Sequence, residues 1–220
     1  MRYAAVIFDF GGVITSSPFE AFNRLEAERG LPQDFVRRVN STNPDHNAWA
    51  RLERGELTRD AFNAAFAGEA AAMGHELDGA PVLACLSGAL RPAMVTAMDR
   101  IVAAGLRIGC ITNNAPAGKD GSGEGPGMAA DATTAGKLAP VFARFKHVIE
   151  SAKAGVRKPD PRIYQMMCEA LGVSPDVCVY LDDLGINCKP AAALGMHAIK
   201  VTGERQALDD LSAALGIALD

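Results

Sequence analysis

Residues 3–13 read YAAVIFDFGGV: an apolar run of six, an aspartate, then an aromatic and a glycine pair. Near-continuous hydrophobicity, rather than strict alternation, is what a parallel strand covered on both faces requires. The pattern returns at 106–111 (LRIGCI), 146–149 (KHVI), 177–181 (VCVYL) and 197–201 (HAIKV). Between these runs the spacing predicts helices. Residues 92–104 set Met94, Val95, Met98, Ile101 and Val102 at helical intervals and stop at Gly105. Residues 160–171 open on Asp-Pro, an N-cap and first-turn pair, and end at Gly172. Residues 187–194 and 204–215 end at Gly195 and Gly216. Strands and helices alternating in this way predict an α/β fold, a doubly wound Rossmann-like parallel sheet.

Two stretches interrupt the alternation. Nearly a hundred residues separate the first two strands, and helical patterns fill them at 19–29, 33–39, 47–54, 58–73 and 81–87. The expected organisation is a core at 1–15 and 91–220 with an all-helical cap inserted at 16–90. Its hinges fall at Ser16-Ser17-Pro18 and Leu90-Arg91-Pro92, where proline restricts the chain. Phe19, Phe22, Phe35, Trp49, Phe62 and Phe66 supply the cap's bulk. Phe62 and Phe66, at i and i+4, read as helix-packing core. The second interruption is 115–136, where six of 22 residues are glycine; it is expected to be a mobile surface loop.

The 220 residues are 49% hydrophobic and 22% charged with a formal charge of −4, the balance of a folded globular protein. No Lys/Arg run stands out, which argues against nucleic acid or an anionic membrane as the main partner. No apolar stretch approaches the roughly 20 residues of a membrane span. The amino-terminal run meets an acidic residue early and does not read as a signal peptide. Five cysteines, none in a CxxC pair, read as reduced thiols of a cytoplasmic protein.

In doubly wound sheets, ligands bind beyond the carboxyl ends of the strands, where strand order reverses. Asp9 follows the first strand, Thr112 and Asn113 the second, Asp182 and Asp183 the fourth. Lys158, in GVRKPD ahead of a helix, can reach the same crevice with its long stem. Each element alone is also an ordinary turn or helix cap. Together, carboxylates, a hydroxyl, an amide and a lysine suit a hard cation such as Mg²⁺ beside a phosphate.

These motifs, FDFGGV (8–13), ITNN (111–114), GVRKPDPRIY (155–164) and LDDLGINCKPAAALGM (181–196), resemble those of the haloacid dehalogenase superfamily. The resemblance implies an Mg²⁺-dependent phosphatase acting on a small phosphorylated substrate. It makes Asp9 the nucleophile, with Thr112, Asn113 and Lys158 on the phosphoryl group. Asp9, Asp183 and the Gly11 backbone carbonyl become metal ligands, and Asp182 and Asn187 supporting residues. The departure is Gly11, since family phosphatases usually carry an acid/base aspartate two residues after the nucleophile. Three explanations stay open: a substrate with a good leaving group, a replacement such as His46, or a protein that binds a phosphorylated ligand without turnover. Dehalogenation, the superfamily's other chemistry, uses no metal, and the Asp182–Asp183 pair argues against it.

Overall fold

The computed structural model describes residues 2–116 and 132–219. Strands β1 (Ala5–Phe8), β2 (Arg107–Thr112), β3 (His147–Glu150), β4 (Cys178–Asp182) and β5 (His197–Lys200) form one all-parallel sheet in the order β3-β2-β1-β4-β5. Each coincides with one of the five apolar runs to within two residues at either end. β1 is central, pairing Ala5–Phe8 with Arg107 to Cys110 on one side and with Cys178 to Leu181 on the other.

Alternation along β1 divides the core into two layers. Val6 and Phe8 face Met94, Met98 and Ile101 of α6 (Pro92–Ala103), Leu138 and Val141 of α7 (Ala132–Phe142), and Leu208 and Leu211 of α11 (Glu204–Leu215). Ala5 and Ile7 face Ile163, Tyr164 and Met167 of α9 (Pro161–Leu171) and Ala191 of α10 (Gly185–Ala193). Each such side chain, fully buried, contributes about 1.5–3 kcal/mol. The short α8 (Ser151–Ala154) follows β3 directly.

Helix α7 departs from the sequence expectation. Of the stretch expected to be a loop, residues 117–131 lie outside the described residues, whereas 132–136 already belong to α7. Gly136 and Pro140 depress its helical propensity, but burial of Leu138 and Val141 against the sheet outweighs that local preference.

Between β1 and α6 the chain forms α1 (Pro18–Glu28), α2 (Phe35–Ser41), α3 (Ala48–Glu53), α4 (Arg59–Ala72) and α5 (Gly79–Ala84). They bury a hydrophobic cluster of their own that includes Phe22, Phe35, Leu52, Phe62, Phe66 and Val82. The strands of chain entering and leaving this insertion lie side by side. Thr15 and Leu90 form an antiparallel bridge, Ser16 N donates to Ala89 O at 2.8 Å, and Arg91 N donates to Ile14 O at 2.9 Å. No helix among the described residues is long and apolar enough to cross a membrane.

Within the insertion, α2 begins without a cap from its own Asp34, whose backbone is left-handed at φ 61°. Buried Glu26 of α1 takes over, accepting from Asp34 N at 2.8 Å and Val36 N at 2.9 Å. Glu26→Ala leaves these donors without their acceptor and is expected to cost about 1–3 kcal/mol, read as a lowered urea midpoint with unchanged m-value.

Candidate active site

Strand order reverses at β1, so the crevice opens beyond the carboxyl ends of β1, β2 and β4. Asp9 N donates to Leu181 O at 2.8 Å, which sets Asp9 level with Asp182 at the end of β4. Thr112, the last residue of β2, lies on the other flank of Asp9. The polypeptide register alone therefore brings together residues more than a hundred positions apart.

Lys158 is the centre of the arrangement. It is 1% exposed, and its Nζ lies 2.7 Å from Asp9 Oδ1 and 2.7 Å from Asp182 Oδ2. Burial opposes its charge, but the two carboxylates outweigh that and hold its pKa above the ordinary lysine range. Its backbone is bracketed by the Asn113 side chain, which accepts from Lys158 N at 2.9 Å and donates to Lys158 O at 3.0 Å. Asn113, expected on the phosphoryl group, thus has its amide engaged in holding the lysine.

Asp182 is saturated with donors. Oδ2 accepts from Lys158 Nζ and from the Tyr180 hydroxyl at 2.5 Å; Oδ1 accepts from Leu184 N at 2.8 Å; Asn187 Nδ2 lies 3.1 Å from both oxygens. Tyr164 in turn donates to Asn187 O at 2.8 Å, fixing the start of α10. Asp182 and Asn187 support the site by orienting Lys158. Tyr180 was missed in the sequence, where it reads as one more residue of an apolar strand. The signal was its position two before Asp182, since alternate strand residues share a face.

Asp9, Asp182 and Asp183 each offer a carboxylate oxygen within 4.8 Å of the others. With Asp182 committed to its donors, Asp9 and Asp183 are the two carboxylates available to a cation. Asp9 is pushed up to about 8, first by burial and then by the charges of Asp182 and Asp183, against the opposing pull of Lys158. Asp183 is pushed up to about 6 by burial and by Asp182. One buried and one half-buried carboxylate in an all-oxygen donor set, with an excess of negative charge, are a fit for Mg²⁺. Ser17 Oγ donates to Asp183 Oδ2 at 3.2 Å while capping α1 at Phe19 N, so the chain entering the insertion touches the acidic cluster directly.

The two glycines after Asp9 differ. Gly12 has φ +77°, and a Cβ there would stand 2.1 Å from Asp183 Oδ2; only glycine lets that carboxylate approach. At Gly11 an added Cβ would meet nothing nearer than Pro18 Cδ at 4.0 Å. Position 11 therefore has room for a side chain and lacks one by sequence, not by steric need.

Above the site lies a cavity of about 410 Å³. Asp9, Gly11, Thr112, Lys158 and Asp183 line its core side, and Phe19, Phe22, Arg37, Trp49 and Glu53 its insertion side. His46 is exposed and is not among the residues lining the cavity. Arg51 and Arg54, farther along the insertion, pair with Glu56.

A family model described as haloacid dehalogenase-like hydrolase matches residues 3–195. Acyl-CoA dehydrogenase family member 10 of Mus musculus is 32% identical over 225 residues, covering 99% of this chain but only 20% of its own length. Phosphatase MT3486 of Mycobacterium tuberculosis (strain CDC 1551 / Oshkosh) is 30% identical over 245 residues, covering 100% of this chain and 98% of its own. The fold is also that of a HAD family enzyme from Bacteroides thetaiotaomicron solved with magnesium and inorganic phosphate: TM-score 0.58, 16% identity, covering 91% of this chain and 96% of the other. The chain belongs to the haloacid dehalogenase-like hydrolases.

The glycine geometry yields a paired expectation. Gly11→Ala should change stability by no more than about 0.5 kcal/mol, as an unstrained surface-like site does. Gly12→Ala should cost about 1–3 kcal/mol through its left-handed backbone, with added displacement of Asp183. Denaturant melts of the two variants side by side, with Mg²⁺ titrated calorimetrically, check both halves.

Proposed function

We propose that this hydrolase is an Mg²⁺-dependent phosphatase of a small phosphomonoester, working through an aspartyl-phosphate on Asp9. The observation that carries the reading is the buried Lys158 shared between Asp9 and Asp182, beside a second carboxylate, Asp183, poised with Asp9 for a cation. An ion-paired lysine with an adjacent acidic pair is an arrangement for polyanionic substrate and metal. The adjacent acidic pair, which is costly without a counter-cation, favours a metal with phosphate over metal-free displacement of halide. The similarity to a mycobacterial phosphatase, and the magnesium and phosphate held by a protein of the same fold, support the same choice.

In this mechanism Asp9 Oδ1 is occupied by Lys158 and by its neighbour's amide, Phe10 N, at 2.7 Å. Oδ2 is then the attacking oxygen. It forms a bond to phosphorus as the bond from phosphorus to the leaving oxygen breaks, which divides one difficult displacement into two easier ones. Water then attacks phosphorus, returning the Asp9 carboxylate and releasing inorganic phosphate. Lys158 stabilises the charge on the phosphoryl oxygens, and the Thr112 hydroxyl donates to one of them. Asp9, Asp183 and the Gly11 carbonyl would hold Mg²⁺, which when bound neutralises phosphate charge. The insertion at 16–90 acts as the cap that screens the crevice, over a core of 1–15 and 91–220. Five free cysteines accord with a cytoplasmic setting.

Gly11 shapes the substrate range. Without a carboxyl to protonate the departing oxygen, esters with good leaving groups, such as aryl or acyl phosphates, are favoured over alkyl phosphates. A phosphate-release panel spanning aryl, acyl, sugar and nucleotide phosphates, with Mg²⁺ and with EDTA, tests the assignment. Metal-dependent release lost in Asp9→Asn is expected. Mg²⁺ and phosphate binding with no release from any compound would instead identify a binding protein. Because position 11 has room, Gly11→Asp is expected to raise alkyl phosphate turnover by about 10²–10⁴, the usual contribution of a general acid/base.

The raised carboxylates also set a pH dependence. Asp9, ordinarily near 3.8, lies near 8 in the folded protein, so the folded state holds its proton more tightly than the unfolded chain. Stability of the metal-free protein should therefore fall as pH rises through this window. Mg²⁺ requires the ionised form, so its stabilising effect should grow over the same window. Thermal melts from pH 5 to 9, with EDTA and with Mg²⁺, should diverge toward high pH.

A further inference from the structure

Glu53 lies on α3 of the helical insertion, yet its buried carboxylate is bonded to the core. Oε2 accepts from Arg157 Nε at 2.6 Å and from Asn113 Nδ2 at 3.2 Å. Oε1 accepts from the Trp49 indole N–H at 2.8 Å. Arg157 reaches back as well, donating from Nη1 to Pro44 O at 3.2 Å. Asn113 is the same amide that brackets the Lys158 backbone, and Lys158 is the residue that grips Asp9. An unbroken path of polar contacts thus runs from Trp49, on the cavity wall, through Glu53, Asn113 and Lys158 to the nucleophile.

Both Glu53 oxygens are already occupied as acceptors, so the geometry suits holding and not proton transfer. Asn113 Nδ2 divides its donation between Lys158 O and Glu53 Oε2. If the insertion swings away, that amide loses one of its anchors and Arg157 loses its carboxylate. The backbone carrying Lys158 is then fixed less firmly. A displacement of about 1 Å at a reacting centre can cost 10²-fold in rate.

We propose that Glu53 is a positioning residue through which the insertion sets the Lys158–Asp9 pair, so that the catalytic geometry is complete only when the insertion is docked. This inference rests on the phosphatase reading above and adds a residue to it. Trp49 is the only tryptophan of the sequence, so its emission reports on this junction without a label.

The test uses the full chain with MgCl₂ and inorganic phosphate as the probe, binding being followed by calorimetry and by Trp49 emission. In the unaltered protein, emission should change with the same midpoint as the heat of binding. Glu53→Gln keeps the shape but gives up the charge that pairs with Arg157. It should bind phosphate within about threefold of the original affinity, lose most of the emission response, and lose roughly tenfold in kcat on an aryl phosphate at little-changed KM. Arg157→Gln, which cuts the same junction from the core side, should act in the same direction and serves if Glu53→Gln does not fold. The double variant should be no worse than the poorer single, as expected for two residues of one network.

Full kcat with an intact emission response in Glu53→Gln overturns the proposal. Additive losses in the double variant overturn it too, because the two residues would then act independently. Phosphate binding with no change in Trp49 emission overturns it while leaving the phosphatase reading standing. Absence of phosphate binding by calorimetry together with no Mg²⁺-dependent release from the aryl phosphate overturns the phosphatase reading, and the positioning role falls with it.

Discussion

A lysine ammonium sealed between two carboxylates is the constraint on which the rest of this molecule depends. Lys158 is 1% exposed and Asp182 is fully buried. Moving such charges out of water costs several kcal/mol per ion unless geometry and further hydrogen bonds compensate. The compensation is visible atom by atom. Asp182 gathers donors from Lys158, Tyr180, Leu184 and Asn187, and Asn113 fixes the lysine's backbone from both sides. Removing one partner would strand the others, so the cluster stands or falls together. Asp183 adds a third carboxylate beside this cluster, an excess of negative charge over the one ammonium. Burial first, and that excess after it, hold Asp9 and Asp183 above their ordinary range.

The sheet makes this cluster possible at small cost to the chain. Placing β1 centrally, with β2 and β4 on either side, brings three strand ends to one edge. Parallel pairing fixes their relative heights, so a residue one step past Phe8 must stand beside residues one step past Cys110 and Leu181. The helices between strands can vary without disturbing that register. The insertion sits where it can cover the crevice because it leaves the core a short loop after Asp9 and returns beside the same point, at the Thr15–Leu90 bridge.

This division explains what could be read from the sequence. Asp9, Thr112, Lys158, Asp182 and Asp183 were legible because each follows an apolar run or precedes a helix, and the alternation of strands and helices dictates where such positions lie. Gly11 stood out for a different reason, through the resemblance alone, as the position where family phosphatases usually carry an acid/base aspartate. Helix α7 was not legible, since Gly136 and Pro140 read as breakers and only burial against the sheet overrides them. The role of Asn113 was hidden because its partner lies 45 residues away. Glu53 was hidden further still, paired with an arginine 104 residues along the chain. Within its own helix it reads as one charged residue among three in a solvated stretch, RLER. Contacts of this length depend on how the insertion is set over the core, and no local pattern encodes that.

Gly11 and Glu53 are two consequences of one design. A carboxyl at position 11 would sit beside Pro18, the first residue of α1, where there is space for it. Without it, the proposed reaction rests on how firmly Asp9 and Lys158 are aimed, and less on proton supply. Under the proposed mechanism the insertion controls that aim, through Ser17 touching Asp183 and through Glu53 touching Asn113 and Arg157. A site without an acid for its leaving group gains most from being assembled accurately, and these contacts fall on the residues to which the proposal gives that task.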